Sequence, residues 1–302
     1  MPALAYGALL GVVVLWGSAF PVIKIGLDGL GVGHLTLLRH LVASLAFLAF
    51  LIAAGGRLRP RAADLPTFAL LGFLGIFVYH TALNAGELRV SAGATSLIIA
   101  SAPALTAVFA ALLLGERMSR RAWAGSVTSF LGVALIALGD GEALRFDPFA
   151  GFLVLAAVGT SLYFVLQQRI LARYRPLETT AFVTWAGTVP MVVFLPGLPA
   201  TLAGAPTEAL LGAAYIGVFP SAVAYTLFTF AQSRAPVTRV ATMLYGVPVV
   251  ALTASWALLG EVPTPLTLVG GAIAIAGIVV VQRARRAARA APATPARPEG
   301  AR

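Results

Sequence analysis

Six ionisable or amide side chains interrupt long apolar stretches of this chain: Lys24, Arg39, His40, His80, Asn84 and Glu87. At the middle of a bilayer a charged side chain costs about 2.5–3.5 kcal/mol on insertion scales, so such groups face a protein interior or a polar cavity. Aromatic residues accompany them at helical spacing. Trp16, Phe20 and Lys24 fall at i, i+4 and i+8, and Phe73, Phe77, His80, Asn84 and Glu87 follow one stripe. Farther along, Thr160, Tyr163 or Phe164, and Gln167 share a face, as do Ser221, Tyr225, Thr229 and Gln232. Thr242 and Tyr245 stand on a further segment. Aromatic walls with a few amide and hydroxyl groups suit the orientation of a small polar organic molecule. Lys24 and Arg39 add positive charge, which favours a carboxylate. The expected binding set is Trp16, Phe20, Lys24, Arg39, His80, Asn84, Tyr163, Gln167, Tyr225, Thr229, Gln232 and Tyr245. The competing reading is structural. Lys24 and Arg39 can snorkel to a polar interface or pair with Glu87, and neutral polar groups commonly bond between helices, at under about 1 kcal/mol per contact.

Catalytic chemistry finds little support. No HExxH, P-loop or Gly-x-Ser-x-Gly pattern occurs. Leu138-Gly139-Asp140 echoes an intramembrane aspartyl motif, but no second mid-segment aspartate completes a dyad. No enzyme activity, cofactor or metal site is expected. With no cysteine, disulfides and thiol chemistry drop out.

Ten apolar stretches must position these groups: roughly residues 3–27, 34–54, 65–85, 91–114, 123–138, 149–172, 179–195, 208–233, 238–259 and 266–281. A membrane-spanning helix needs about 20 apolar residues. Of 302 residues, 59% are hydrophobic and 11% charged, and several gaps are too short for a folded extramembrane domain. Lipid offers no partner for unsatisfied backbone groups, so the spans are helical. The expected fold class is all-α integral membrane with ten transmembrane helices.

Arginines mark one side. Arg57, Arg59 and Arg61 follow span 2; Arg117, Arg120 and Arg121 follow span 4; Arg169, Arg173 and Arg175 end span 6. Arg234 and Arg239 separate spans 8 and 9, and Arg283, Arg285, Arg286, Arg289, Arg297 and Arg302 follow span 10. Those are 17 of the 21 basic residues, whereas the opposite loops hold only Arg89 and Arg145. By the positive-inside rule both termini are cytoplasmic. The arginine-for-lysine bias points to a GC-rich bacterial genome, hence an inner membrane. The net charge of +10 reads as this topological signal plus attraction to anionic lipid heads, not as a nucleic-acid footprint. Span 1 lacks a basic leader and reads as a retained helix. The tail over 283–302, rich in Arg, Ala and Pro, is expected to be disordered.

The chain also repeats itself. Pro103/Pro248, Leu113/Leu258, Leu114/Leu259, Gly115/Gly260, Glu116/Glu261, Gly125/Gly270 and Gly132/Gly277 all match at an offset of 145. That offset is five spans, an odd number, so the copies cross the membrane in opposite directions. Inverted repeats of this kind build secondary transporters, with the substrate site between them near the midplane. Pro103 and Pro248 are expected to kink spans 4 and 9. The paired glycines lie seven apart, on one face, and suit close helix packing.

At this point a resemblance becomes specific. Trp16-Gly17-Ser18-Ala19-Phe20 followed by Lys24, Arg39 followed by Ala43, and two copies of Pro…Leu-Leu-Gly-Glu resemble the EamA-like family of the drug/metabolite transporter superfamily. Gly159-Thr160-Ser161-Leu162-Tyr163 is a weaker match, and the charged Glu87 departs from the pattern. The resemblance implies a 5+5 inverted-topology bundle, with repeats at 3–138 and 149–281, moving small organic metabolites by alternating access. An amino-acid-like substrate and export are the first expectation. A neutral metabolite or drug is the alternative, with a lipid flippase or lipid-modifying protein behind it. The partners are then a small-molecule substrate and membrane lipids, and a monomer is compatible with the pattern. His80 is the best titrating group. One histidine without a carboxylate partner is a poor proton relay, so transport without proton coupling is expected.

Overall fold

The computed structural model describes residues 3–115, 118–139, 147–234 and 243–290. Glu116, Arg117, Asp140, Glu142, Arg145, Arg239, Thr242 and the chain beyond residue 290 lie outside these segments. Among the described residues the ordered elements are all helical. Eight helices are long and apolar enough to cross a bilayer. The first, Ala3–Ala53, breaks at Gly31, where φ is 64° and ψ is 175°. A side chain would be strained there, so glycine makes the turn. The element is thus two crossings, α1 (residues 3–30) and α2 (residues 32–53). There follow α3 (Ala62–Glu87), α4 (Ala92–Leu113), α5 (Arg120–Leu138), α6 (Phe149–Leu166), α7 (Pro176–Phe194) and α8 (Thr207–Ala231). A shorter apolar helix, α9 (Gly246–Leu259), and α10 (Pro265–Ala290) complete ten. The helix α10 continues well past the span, so residues 283–290 of the expected disordered tail are helical. Alanine and arginine are among the best helix formers, and that local preference wins there.

The two halves share their irregularities at the offset of 145. A π-turn spans Phe73–Val78 in α3 and Gly217–Val223 in α8. The helix of α4 breaks between Ile99 and Ala102, just before Pro103, and α9 starts at Gly246, just before Pro248. Gly115 and Gly260 end α4 and α9 in the left-handed conformation, with φ of 67° and 68°, the usual role of glycine after a helix C-terminus. Contacts between halves fix the direction. A Cβ on Gly125 would lie 2.7 Å from the Gly277 carbonyl oxygen, and one on Gly270 would lie 2.8 Å from that of Gly132. Residue 125 therefore meets 277, and 132 meets 270, so α5 and α10 run antiparallel. A two-fold axis in the membrane plane exchanges these two contacts, and the fold is a 5+5 inverted repeat.

Large apolar side chains cover the outside of the bundle. Leu10, Val14, Leu45, Ile52, Leu131, Val193, Leu211 and Val249 are all exposed. In water this would be one vast apolar patch; in a bilayer it is the lipid-facing surface. Trp123 at the start of α5 and Trp256 near the end of α9 are also exposed, which places aromatic anchors at the two opposite interfaces.

At the arginine-rich face a polar clasp joins the halves. The Tyr174 hydroxyl donates to Asp64 Oδ2 at 2.7 Å and accepts from the Arg61 backbone N–H at 3.0 Å. Arg173 donates to Asp64 Oδ1 at 2.9 Å. Glu178 accepts from the Arg57 and Arg175 backbone N–H groups at 3.0 and 3.1 Å. Burial, and then the donation to Asp64, push the Tyr174 phenol above its ordinary range, so it stays a donor through physiological pH. Tyr174→Phe strands a buried carboxylate oxygen and a backbone donor. It is expected to destabilise the fold by about 1–3 kcal/mol, read as a lowered thermal midpoint in detergent.

Candidate functional site

The bundle encloses a cavity of about 900 Å³ of atom-free space, counting its mouth. Its walls come from both halves. Ile99 and Leu244, Ala100 and Tyr245, Ala102 and Val247, Pro103 and Pro248, and His80 and Tyr225 all line it. Each pair is separated by the repeat offset of 145. The cavity therefore sits on the pseudo-two-fold axis, at the depth where α4 and α9 are interrupted. Broken helices at mid-membrane are tolerated where they line such a cavity. The two π-turns lie at the same level. They rotate Tyr79 and His80 on α3, and Tyr225 on α8, toward the centre, and all three line the cavity.

Trp16 and Phe20 on α1 and Phe164 on α6 form the aromatic wall. The Trp16 ring packs edge-on against Tyr225 at 5.1 Å between centroids and lies 5.0 Å from Phe228. Its indole Nε1 donates to the Pro220 carbonyl at 3.1 Å. That bond spans the two halves and ties the π-turn of α8 to α1. Most of the remaining lining is aliphatic, with Ser96 and Thr160 as small hydroxyls.

Among the described residues, one charge lines this cavity. Arg39, on α2, is 2% exposed. Its Nη2 donates to Ser221 Oγ at 3.0 Å, while Nε and Nη1 have no protein partner. A buried guanidinium whose Nε and Nη1 lack protein partners has charge-assisted donors to offer an anion. Beside it the His40 and His80 rings pack at 4.5 Å between centroids. His40 Nδ1 meets the Thr36 carbonyl oxygen at 2.8 Å.

Of the residues expected from sequence, Trp16, Phe20, Arg39, His80, Tyr225 and Tyr245 line the cavity. Five others do not. Lys24 turns toward the face opposite the arginines, donating to the Val90 carbonyl at 2.8 Å and pairing with Glu261 at 3.6 Å. Asn84 donates to Thr36 Oγ1 at 2.7 Å. Tyr163 is buried in an apolar cluster with Phe68, Ile76 and Phe182, and its neighbour Phe164 takes the cavity position. Gln167 is buried one turn beyond the cavity. Thr229 donates to the Tyr225 and Thr226 carbonyls at 2.8 and 3.0 Å. The side chain of Gln232 lies outside the described residues. Tyr79 and Ser96 escaped the sequence reading. Tyr79 neighbours His80, and only the π-turn brings both to one wall.

The motif glutamate also gains a role. Glu261 Oε2 accepts from the Ala92 backbone N–H at 2.9 Å. It thereby satisfies a donor in the first turn of α4, which has no partner within its own helix. The preceding Gly260 supplies the turn that lets it reach.

Comparison with known proteins agrees with this architecture. The chain matches the EamA-like transporter family over residues 3–138 and 149–283. It is 44% identical over 281 residues to a probable terminal-alkyne amino-acid exporter of Streptantibioticus cattleyicolor, covering 92% of this chain and 93% of that one. It is 41% identical over 266 residues to the uncharacterized transporter YdfC of Bacillus subtilis, covering 87% and 86%. A crystal structure with 21% identity superposes with a TM-score of 0.62 over 94% of this chain and 98% of the other, a likeness of fold. With two matched halves, antiparallel packing between them and a cavity on their symmetry axis, this chain belongs to the EamA-like transporter family and is a multi-pass protein of the bacterial inner membrane.

Proposed function

We propose that the chain exports an amino-acid-like metabolite by alternating access, acting as a carrier with no chemistry of its own and as a monomer. The observation that carries this reading is Arg39, a buried guanidinium in the cavity wall with two unpartnered donors. It takes the carboxylate. Trp16, Phe20, Phe164 and Tyr225 receive an apolar or aromatic side chain, and the hydroxyls of Ser96, Thr160 and Tyr79 are at hand for the ammonium group. The printed name of the Streptantibioticus relative supports the same substrate class. Both termini and the arginine-rich loops face the cytoplasm, which the arginine distribution supports.

A cationic drug fits less well, because no carboxylate lines the cavity among the described residues. The test is competition in liposomes holding the purified protein. Saturable uptake of a labelled aromatic or apolar amino acid, inhibited by other amino acids, is expected. Saturable transport of a quaternary ammonium dye, indifferent to every amino acid, would overturn the proposal.

A further inference from the structure

Six residues at one end of the cavity hold nine buried side-chain nitrogen and oxygen atoms without a hydrogen-bond partner. They are Arg39 Nε and Nη1, His40 Nε2, both His80 nitrogens, Thr81 Oγ1, Asn84 Oδ1 and both Glu87 oxygens. Native proteins pair nearly all their buried polar groups, and a concentration of exceptions calls for an explanation. His80, Asn84 and Glu87 lie at i, i+4 and i+7 on α3, a column that starts at the cavity and climbs toward the face opposite the arginines. Glu87 at its top is fully buried. Among the described residues, the charges that act on it belong to other elements. Lys24 on α1, Arg39 on α2 and Glu261 after α9 act on it electrostatically, and His40 on α2 and Tyr79 and His80 on α3 are the other titratable groups. On α6, Phe149 and Leu153 pack against the adjacent Gly86, and Arg89 lies over the Phe149 ring, 5.5 Å from its centroid.

We infer that Glu87 is a proton-binding site that couples this carrier to the proton gradient, by competing with Glu261 for Lys24. The inference rests on the export reading for its direction, but the proton site stands on the geometry alone. A carboxyl with both oxygens buried and unpartnered holds its proton, since an ionised one would be uncompensated. Lys24 is then left to Glu261 at 3.6 Å, and Glu261 in turn holds the start of α4 through Ala92. This latch closes the outer end of the cavity. A small pocket lined by Ser255, Glu261, Pro263 and Thr264 lies alongside it and gives the latch a route to outside water. When the Glu87 proton leaves past His80 into the cavity, the new carboxylate draws Lys24 away from Glu261. The latch parts and substrate escapes. A proton from outside then returns to Glu87, Lys24 goes back to Glu261, and the mouth shuts. One proton enters for each substrate exported. Asn84 and the His80 and His40 rings line the path the proton takes. Uncoupled transport, expected when His80 stood without a carboxylate, is replaced because Glu87 stands on the same face two turns away.

The test needs no substrate. The chain has no cysteine, so a spin-label pair at Leu88→Cys and Val262→Cys, both exposed, reports the outer mouth by pulsed electron resonance in liposomes. A short distance at acid pH, with a longer population growing several-fold as pH rises, is expected. Glu87→Gln, which mimics the protonated group, should stay short at every pH, and Glu261→Gln should stay long. Infrared spectroscopy of the unmutated chain should show a protonated carboxyl band at neutral pH that Glu87→Gln removes. If Glu87→Gln does not fold, titration of that band in the unmutated chain decides. A mouth distance indifferent to pH, a Glu87→Gln protein that titrates normally, or absence of the band would each overturn the proton site. A pH-driven mouth in a protein that carries no amino acid would sink the substrate assignment and leave the proton site intact.

Discussion

Arg39→Gln is expected to abolish amino-acid binding while leaving the protein as stable as before, or more so. Two charge-assisted hydrogen bonds are lost with the guanidinium, each about 1.5–3 kcal/mol, so affinity should fall about 100-fold or more. Stability should move the other way. Arg39 is 2% exposed and has one hydrogen bond, to Ser221. Such a cation is a cost to the fold, which function retains. Arg39→Lys keeps the charge but loses the planar fork and should recover only part of the affinity. Lys24→Gln makes the contrast, because Lys24 lies off the cavity and pairs with Glu261. It should leave equilibrium binding within about threefold, well under the 1.4 kcal/mol that a tenfold change represents. Binding can be followed through Trp16, whose ring lines the cavity, alongside thermal unfolding in detergent. An Arg39→Gln protein that binds normally, or that loses binding only because it unfolds, would show the guanidinium to be structural.

The contrast between these two cations shows what the sequence could and could not disclose. That Lys24 and Arg39 face protein rather than lipid follows from charge and depth. Which of them reaches the substrate depends on the rotation of α1 and α2, and one residue is 100° of helix. The π-turns make the phase worse. Counted at 3.6 residues per turn, Phe73 shares the stripe of His80, yet Phe73 is 45% exposed. The turn over Phe73–Val78 inserts an extra residue and swings everything after it. The same phase problem put Tyr163 in the expected binding set, whereas the structure gives the cavity to its neighbour Phe164. Asn84 and Thr229 bond other protein groups instead, the ordinary fate of polar residues between membrane helices. The spans themselves were plain, since lipid allows few alternatives. The repeat was plain too, because glycine and proline carry backbone meaning that Leu and Val do not.

That meaning can be tested where it is most concentrated. Gly132→Val is expected to break the junction between the halves. A Cβ on Gly132 would lie 2.5 Å from the Gly270 carbonyl oxygen and would also run into the Ala274 backbone nitrogen. These are backbone atoms of a neighbouring helix, so no rotamer change relieves the clash, and α5 and α10 must move apart. Overpacking of this kind costs about 3 kcal/mol or more. In a membrane the cost is harder to recover, because close backbone approach, not the hydrophobic effect, holds such helices together. The expected result is loss of most folded protein after extraction, or a thermal midpoint lowered by many degrees. Symmetry adds a sharper requirement. Gly277 occupies the matching place in the second half, with a Cβ there 2.5 Å from the Gly125 carbonyl oxygen, so Gly277→Val should do comparable damage. Gly151→Ala is the control, since nothing lies within 4 Å of its Cβ position, and it should fold normally. A Gly132→Val protein as stable as Gly151→Ala would mean that the two halves do not meet along α5 and α10.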